Sequence, residues 1–428
     1  MPAAASLGSP AWAPGPGKPG SGVADSFDAV IVGAGAAGMM AASVAGQRGL
    51  RVLLLDHAEK LAEKIRISGG GRCNFTNVGA SPANFLSQNP NFCRSALAAY
   101  TPRHFIDLVE RHGISWHEKH RGQLFCDDSS ESIIAMLKRE CDAGDVAWRM
   151  SCSVQSIEQS PAGFALRTSQ GPVRARQLVL ATGGMAVPQL GATDFALGAA
   201  RQFGLKVVEP RPALVPLTFD AQQWQPFGAL SGVALEAAVG CGAGKSRTSF
   251  LEDLLFTHRG LSGPGILQIS SYWNPGEPIT LDLAPGRQLA EEWIAGKSGN
   301  RQTLISALAA LWPRRLAEQW LAGEGNDPAQ FGAMRMADMP DKTLRRLAER
   351  IHAWVLHPTG TVGYKKAEVM RGGVDTRGID QKTMQAKNVP GLYFIGEALD
   401  VTGWLGGYNF QWAWASGAAC GRSLQKAV

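Results

Sequence analysis

The apolar positions near the start of the chain follow a strand–helix–strand order. Residues 29–32 form a short, entirely apolar run, which suits a strand buried on both faces. A glycine-rich turn follows at residues 33–38, and small or apolar residues then recur at helical spacing. A second apolar run, at residues 52–55, ends at Asp56. This pattern predicts a parallel β–α–β unit.

The hydrophobic period changes to two between residues 146 and 180. Turn residues divide that stretch twice, so it predicts an antiparallel meander. The meander leads into a second glycine turn at residues 181–184. The preceding region, residues 92–144, is predicted to be mostly helical, with a short strand around Leu124 and Phe125.

The central part of the chain changes its pattern twice. Residues 206–284 alternate and are rich in turns, which predicts an antiparallel sheet or barrel. Within them, Ser262 is predicted to be the N-cap of a short helix at residues 266–271. Residues 285–354 change to helical periodicity, with apolar residues at steps of three and four. The residues on that apolar face are Leu344, Leu347, Ile351 and Trp354.

The last stretch returns to a strand followed by a helix. Residues 391–395 form a short apolar strand, and a glycine pair opens a small-residue helix after residue 407. The predicted division of the chain is therefore a disordered tail (1–26), the first part of a dinucleotide-binding domain (27–205), an inserted β-barrel-like domain (206–284), a helical subdomain (285–354), a return segment (355–388) and the last part of the dinucleotide-binding domain (389–428).

Composition narrows the class of protein. The tail is rich in Ala, Pro and Gly and lacks the basic start and apolar core of a signal peptide. No apolar run is long enough to span a bilayer. The chain has seven cysteines, an odd number, and no CxxC pair, so a metal site is not expected. These features predict a cytoplasmic protein with reduced thiols and no membrane partner. The net charge of +6 is mild, and a solvated surface explains it.

The first glycine turn has the spacing of a dinucleotide-binding turn, GxGxxG. Gly33 permits the tight turn, Gly35 lets a pyrophosphate approach the backbone, and Gly38 lets helix and strand pack closely. The helix N-terminus offers unpaired N–H groups to the phosphates. Asp56 stands where a carboxylate accepts hydrogen bonds from a ribose. The flanking strand, helix and acid together predict dinucleotide binding.

Three further stretches carry candidate chemistry. Residues 68–74 (SGGGRCN) predict an irregular loop that wraps a phosphate or a flat ring, and a flexible surface loop is the alternative. Cys73 within it is interpreted as a packing residue rather than a reactive thiol. His258 is either a proton donor near a ligand or a histidine hydrogen-bonded in a turn. Residues 239–246 resemble a P-loop, but Val239 replaces its first glycine, so a hairpin turn is predicted.

The C-terminal motifs meet the needs of a flavin. Gly396 and Glu397 end a strand, where a carboxylate can contact a polyol chain such as ribityl. The glycine pair that opens the last helix can present N–H groups to the negative charge of a reduced flavin ring. Its alanine-rich continuation would let the helix backbone approach the first β–α–β unit.

Taken together, these motifs resemble the aminoacetone oxidase-like (BaiN/YhiN-type) FAD-dependent flavoprotein family. The matching segments are residues 29–38, 67–77, 256–266, 367–374 and 383–417. The resemblance implies an α/β fold, with FAD in a discontinuous Rossmann-like domain made of a parallel sheet and a β-meander. It also implies an inserted β-barrel and a small helical domain. Asp56 departs from the glutamate frequent in such families, and a glycine usual before Lys64 is absent.

The residues predicted to bind the cofactor follow from the glycine turns and the resemblance together. They are Gly33, Gly35, Ala36, Ala37, Gly38, Asp56, His57, Lys64, Gly71, Arg72, Cys73, Asn74, Val154, Ala181, Thr182, Gly183, Gly396, Glu397, Gly407, Tyr408, Asn409 and Phe410.

The leading hypothesis is an oxidoreductase that moves a hydride between flavin N5 and a small organic substrate or NAD(P)H, with oxygen or a second organic acceptor as oxidant. Arg72 and His258 are the candidate catalytic residues. Only one full GxGxxG is present, so NAD(P)H is predicted to bind transiently, if it is used. The alternative is a flavin-containing protein that binds tRNA. It is less favoured, because aromatic residues do not alternate with the arginines at 314, 315, 345 and 346. The sequence does not predict an oligomeric state.

Overall fold

The structure is a computed structural model, and it describes residues 25–426 of the chain. The predicted disordered tail lies outside the described residues, except for its last two positions. The first strand begins at Asp25, so residues 25 and 26 belong to the sheet and the predicted tail boundary is two residues too late.

The elements before residue 206 are β1 (Asp25–Val32), α1 (Ala36–Gln47), β2 (Val52–Leu55), α2 (Glu63–Ile67), β3 (Asn74–Asn77), β4 (Phe85–Leu86), α3 (Arg94–Ala99), α4 (Pro102–Arg111), β5 (Trp116–Glu118), β6 (Gln123–Cys126), α5 (Ser130–Asp142), β7 (Ala147–Arg149), β8 (Val154–Ser160), β9 (Gly163–Thr168), β10 (Gly171–Leu180) and α6 (Phe195–Gln202).

The central elements are β11 (Val207–Ala213), β12 (Leu217–Thr218), α7 (Ala221–Gly228), β13 (Ala234–Cys241), β14 (Thr248–Thr257), β15 (Gly260–Ser262), α8 (Pro264–Ser270), β16 (Ile279–Asp282), α9 (Leu289–Ala295), α10 (Leu304–Ala309), α11 (Arg314–Gly323), α12 (Asp341–His352), β17 (Trp354–Leu356), β18 (Gly360–Thr361) and β19 (Val369–Val374). The last elements are β20 (Leu392–Phe394), β21 (Thr402–Gly403) and α13 (Tyr408–Ser423).

The main sheet has the order β7-β2-β1-β10-β9-β8, and its first four strands are parallel. Strand β10 joins this parallel part to the antiparallel meander, because its first half pairs with β9 and its last three residues pair in parallel with β20. The apolar run predicted in β1 is almost fully buried, as expected for a central strand covered on both faces. The predicted α/β class, with a parallel sheet extended by a meander, is confirmed.

The part of the chain between residues 207 and 374 leaves the main sheet and returns to it through one ribbon. Strands β11 and β19 pair antiparallel and form that connection. Beyond the ribbon, an antiparallel sheet runs in the order β17-β16-β13-β14-β15-β12-β18. Its residues and those of α9–α12 share a hydrophobic core separate from that of the main sheet. The insertion therefore buries its own apolar surface.

Two local predictions have clear outcomes. Residues 239–246 form a hairpin turn, as predicted, because β13 and β14 pair antiparallel up to Cys241 and Thr248. The N-cap prediction at Ser262 is wrong: the helix begins at Pro264 and its N-cap is Gly263, at φ +87°. Ser262 instead ends β15, where ladder pairing holds it extended. Among the described residues, no helix is both long and apolar enough to cross a membrane.

Candidate functional site

The first glycine turn is shaped by packing on one side and by open space on the other. A Cβ atom at Gly33, whose φ is +109°, would lie 2.5 Å from the Ala181 carbonyl oxygen. A Cβ at Gly38 would lie 1.9 Å from the Gly33 oxygen. At Gly35, by contrast, a Cβ would meet no atom within 4 Å. The first and third glycines are thus required by the fold, whereas the middle one borders space that a ligand would fill.

The N-terminus of α1 opens onto that space. Its N-cap is Gly35, and no side chain caps the helix. The Asp56 carboxylate braces the turn, since it accepts hydrogen bonds from the backbone N–H groups of Ala34 (2.7 Å) and Ala58 (2.8 Å). His57 Nδ1 lies 3.6 Å from the Asp56 carboxylate. An uncapped helix N-terminus beside open space is the arrangement that binds a phosphate.

The wall opposite α1 contains an unsatisfied polar atom. Thr182 follows Ala181 directly, and its Oγ1 is buried without a hydrogen-bond partner among residues 25–426. Beyond it, Lys64 Nζ pairs with Glu397 Oε2 at 3.0 Å, and Glu397 Oε1 accepts the Met370 N–H at 2.8 Å. A buried hydroxyl without a partner costs stability, so Thr182 favours a ligand with polar groups at this wall.

Helices α1 and α13 lie side by side and run in the same direction. A Cβ at Gly417 would lie 2.6 Å from the Ala37 oxygen, and one at Gly421 would lie 2.7 Å from the Ala41 oxygen. Because α13 begins nine residues before Gly417, whereas α1 begins one residue before Ala37, the N-terminus of α13 extends about 12 Å beyond the start of α1 at 1.5 Å per residue. The two helix N-termini therefore point in the same direction, and the N-terminus of α13 lies further along that direction than the N-terminus of α1.

The α13 N-terminus is built from residues distant in sequence. Gly407 has φ +92°, and a Cβ there would lie 2.4 Å from the Thr76 backbone. The Asn409 side chain accepts the Gly403 N–H at 2.8 Å and donates to the Gly403 oxygen at 2.9 Å. Tyr408 and Phe410 beside it are half-buried. Asn409 therefore holds the entry to the helix, a role that its position in sequence did not predict.

The SGGGRCN loop contributes backbone rather than a reactive thiol. Gly69 and Gly70 have left-handed backbone angles within a short turn at Ser68–Gly71. Cys73 is fully buried, and this burial raises the pKa of its thiol, so it is not a thiolate at neutral pH. All seven cysteines are free and buried. Arg72 is exposed, and Asn74 lies beside Gly407.

The remaining predicted site residues are distributed as follows. Gly396 is fixed by Ser416 Oγ, which accepts its N–H at 3.0 Å. Val154 begins β8, two residues after Cys152, whose N–H bonds the Asp56 oxygen at 2.8 Å. His258 is exposed in the turn between β14 and β15, and that turn contacts α7 through Trp224, which donates to the Thr257 oxygen. The structure thus brings several of the residues predicted to bind the cofactor close together, whereas His258 lies on the inserted sheet.

Sequence reasoning missed one titratable residue. Glu368 lies just before β19, and its backbone N–H bonds the Leu214 oxygen at 3.2 Å. Its side chain is exposed, yet the surrounding protein desolvates it and raises the pKa of its carboxyl to about 7. The signal available in the sequence was a single acid between apolar residues in the 367–374 segment.

We expect Glu368→Gln to change stability in a pH-dependent way. The folded-state pKa of Glu368, about 7, lies above its ordinary value, so ionisation of this group destabilises the fold as the pH rises toward 7. The variant should match the wild type at pH 4 and exceed its unfolding free energy at pH 8, by less than about 1 kcal/mol because the side chain is exposed. Urea denaturation at both pH values measures this. Glu291→Gln, on exposed α9, controls for loss of one charge, and an equal change at both pH values would contradict the prediction.

Comparison with known proteins identifies the family. Residues 27–423 match the family described as HI0933-like protein Rossmann domain. The chain belongs to this family. The HI0933-like chain is 47% identical over 409 residues to the ribosomal RNA dihydrouridine synthase of Escherichia coli (strain K12), covering 93% of this chain and 98% of that protein. It is 45% identical over 405 residues to the protein of the same name from Haemophilus influenzae, with 93% and 98% covered.

A more distant relative has a different activity. The 3-dehydro-bile acid delta(4,6)-reductase of Clostridium scindens is 28% identical over 410 residues, covering 92% of this chain and 98% of that protein. Membership confirms the predicted family. The prediction of an enzyme is confirmed at the level of these relatives, each of which is named for a reaction.

Proposed function

We propose that this HI0933-like chain is an FAD-dependent enzyme that reduces uridine to dihydrouridine in ribosomal RNA. The cofactor part rests on one observation: two parallel helices without a side-chain cap, α1 and α13, point their N-termini in the same direction with an axial offset of about 12 Å, and Gly35 at the first of them borders open space. The substrate part is supported by end-to-end similarity to two proteins named for that reaction. This proposal gives the RNA alternative more weight than the small-molecule substrate that the sequence favoured.

The residues present fit FAD. Gly35 and the first N–H groups of α1 would hold the pyrophosphate, and Asp56 would face the adenosine ribose. Thr182 Oγ1, buried without a partner in the described part of the chain, would gain a hydrogen bond from the cofactor. The N-terminus of α13 would point its N–H groups and positive dipole end at the ring. The other predicted cofactor residues remain a proposal of the same kind.

The chemistry requires a hydride and a proton. Dihydrouridine forms when both add across the C5=C6 bond of uracil, and a nicotinamide such as NADPH is the two-electron reductant of the overall reaction. When bound, FAD supplies a ring that accepts two electrons and delivers them to carbon as a hydride. The α13 N-terminus would stabilise negative charge on that ring. The candidate source of the proton is Glu368, whose carboxyl pKa is raised to about 7 by desolvation and which stands two residues before Met370, whose N–H bonds Glu397.

The second candidate function is reduction of a small unsaturated organic molecule. The bile acid reductase of Clostridium scindens favours it, at lower identity. Both functions use the same cofactor site and the same reductant, so one set of experiments separates them.

The proposed function predicts a yellow protein whose flavin is bleached anaerobically by NADH or NADPH and recovers when rRNA is added. The rRNA should come from cells that lack the enzyme, and nucleoside mass spectrometry should then detect dihydrouridine. The matched control is rRNA that already carries the modification, which should leave the flavin reduced. A bleached flavin that a small enone reoxidises and rRNA does not would favour the second candidate. A colourless protein that FAD cannot reconstitute would exclude both.

A further inference from the structure

We infer that the β5–β6 hairpin is a phosphate-binding surface that holds RNA at the entrance to the flavin site. The inference rests on the proposed function and adds the surface that contacts the substrate strand. We use "basic hairpin" for β5, β6 and the tip residues Lys119, His120 and Arg121 between them. Arg72, in the SGGGRCN loop, lies alongside, since its carbonyl oxygen accepts the Cys126 N–H at 3.0 Å.

The basic hairpin is tied directly to the start of α13. The Asn77 side-chain amide donates to the Arg121 oxygen and to the Gly406 oxygen, at 3.0 Å each. A Cβ at Gly406 would lie 2.8 Å from the Gln123 side chain. Strand β3, which carries Asn77, pairs with β6 in one small sheet. The cations of the hairpin tip are therefore held next to the turn that presents the α13 N-terminus to the ring.

The cations on this surface are available for a ligand. Arg72 and Lys119 are exposed, and within residues 25–426 neither side chain has a carboxylate partner. At the tip, Arg121 is paired with Glu252 of β14. Exposed cations without a carboxylate partner also occur elsewhere, as at Lys342 of α12, so the feature that distinguishes Arg72 and Lys119 is their position beside the turn that precedes α13.

Aromatic rings lie among these cations. Lys119 Nζ is 5.6 Å from the centre of the Phe125 ring, and the His117 ring is stacked on Phe125 at 6.1 Å. The sequence argument against RNA rested on the lack of alternation between aromatic residues and arginines in the helical subdomain. In the basic hairpin, cross-strand pairing of His117 with Phe125 brings rings and cations together in space. This combination is typical of surfaces that bind single-stranded nucleic acid.

Physical reasoning identifies the partner as an RNA strand. A base inside a stack is inaccessible to an enclosed ring, so the target uridine must be turned out of the helix. Its flanking phosphates then lie at the rim of the site, where Lys119 and Arg72 can neutralise them. A free nucleoside or a bile acid has no flanking phosphate and would gain nothing from these cations.

The test compares two lysine reversals that change the charge equally. Lys119→Glu, in the basic hairpin, should weaken binding of an rRNA fragment roughly tenfold and lower the salt dependence of log K by about one. Lys342→Glu changes an exposed lysine of α12, in the inserted part of the chain, and should leave the rRNA affinity and its salt dependence unchanged. Lys119→Arg should restore wild-type binding. Both reversals should leave flavin content and flavin reduction by NADPH unchanged, which shows that the fold and site are intact.

The outcomes separate this inference from the proposed function. If both reversals weaken rRNA binding equally, or neither weakens it, the inference is overturned. Dihydrouridine formation by the wild type would still support the proposed function in that case. A wild type that forms no dihydrouridine but binds rRNA through Lys119 overturns the function and supports the surface. A wild type with no salt-sensitive rRNA binding overturns the inference outright.

Discussion

Gly35→Ala should leave the protein folded and deprive it of most of its flavin. Gly35 has φ −87° and ψ −166°, an extended conformation that alanine adopts without strain, and its new Cβ would meet no protein atom within 4 Å. The unfolding free energy should therefore change by less than about 0.5 kcal/mol. The methyl group would occupy the space through which a pyrophosphate reaches the backbone, so the affinity for FAD should fall about 10- to 100-fold.

The measurement is FAD titration of the apoprotein, with urea denaturation of the same sample. The control is Gly198→Ala on α6, where a Cβ also meets no atom within 4 Å but no cofactor is proposed. That control should bind FAD as the wild type does, and its helix should be stabilised by up to about 1 kcal/mol. Wild-type FAD affinity in Gly35→Ala would show that the open space at the glycine turn is not the pyrophosphate site.

Gly417→Leu should destabilise the fold by about 3 kcal/mol and reduce flavin content as a consequence. Even a Cβ at this position would lie 2.6 Å from the Ala37 oxygen and 3.0 Å from the Met40 side chain. A leucine would therefore push α13 away from α1, and overpacking against backbone cannot be relieved by a change of rotamer. The same displacement would separate the two helix N-termini.

Denaturation and flavin content together test this prediction. Gly198→Leu places the same side chain on an exposed helix position and should change stability by less than about 1 kcal/mol. The two glycine substitutions differ in kind: Gly35→Ala should lose flavin at constant stability, whereas Gly417→Leu should lose both. A Gly417→Leu protein as stable as the wild type would mean that α1 and α13 do not pack as closely as the structure has them.

The parts of the fold that could be predicted are those with a local physical cause. The second half of β1 is covered on both faces, so an apolar sequence is expected there, and residues 29–32 are all apolar. Gly33 has a positive φ, which glycine adopts without strain, so a glycine is expected in this tight turn between strand and helix. The hairpin at residues 239–246 followed from alternation and turn residues alone. The N-cap at Ser262 was wrong because β15 pairs through that residue, a contact that local propensity does not contain.

The candidate site was only partly predictable. The sequence pointed to the glycines, Asp56 and Thr182. It predicted a ribose contact for Asp56, but it did not predict that the Asp56 carboxylate accepts the Ala34 N–H and so stabilises the turn. Glu368 was missed because its raised pKa depends on what surrounds it, and a lone acid in an apolar segment has no periodic signature. The basic hairpin was missed because its link to Gly406 spans 329 residues of sequence, through the Asn77 side chain.

Local pattern was sufficient for the α/β class and the glycine turn, because hydrophobic period and backbone restriction act between near neighbours. Only the tertiary structure determined that α1 and α13 pack in parallel and that their N-termini are offset along the helix axes. It also placed the tip of the basic hairpin beside the turn that precedes α13, through the Asn77 side chain. The alignment of the two helices depends on close contact between Gly417 and Ala37, 380 positions apart, and a contact at that separation leaves no trace in the periodicity of either segment.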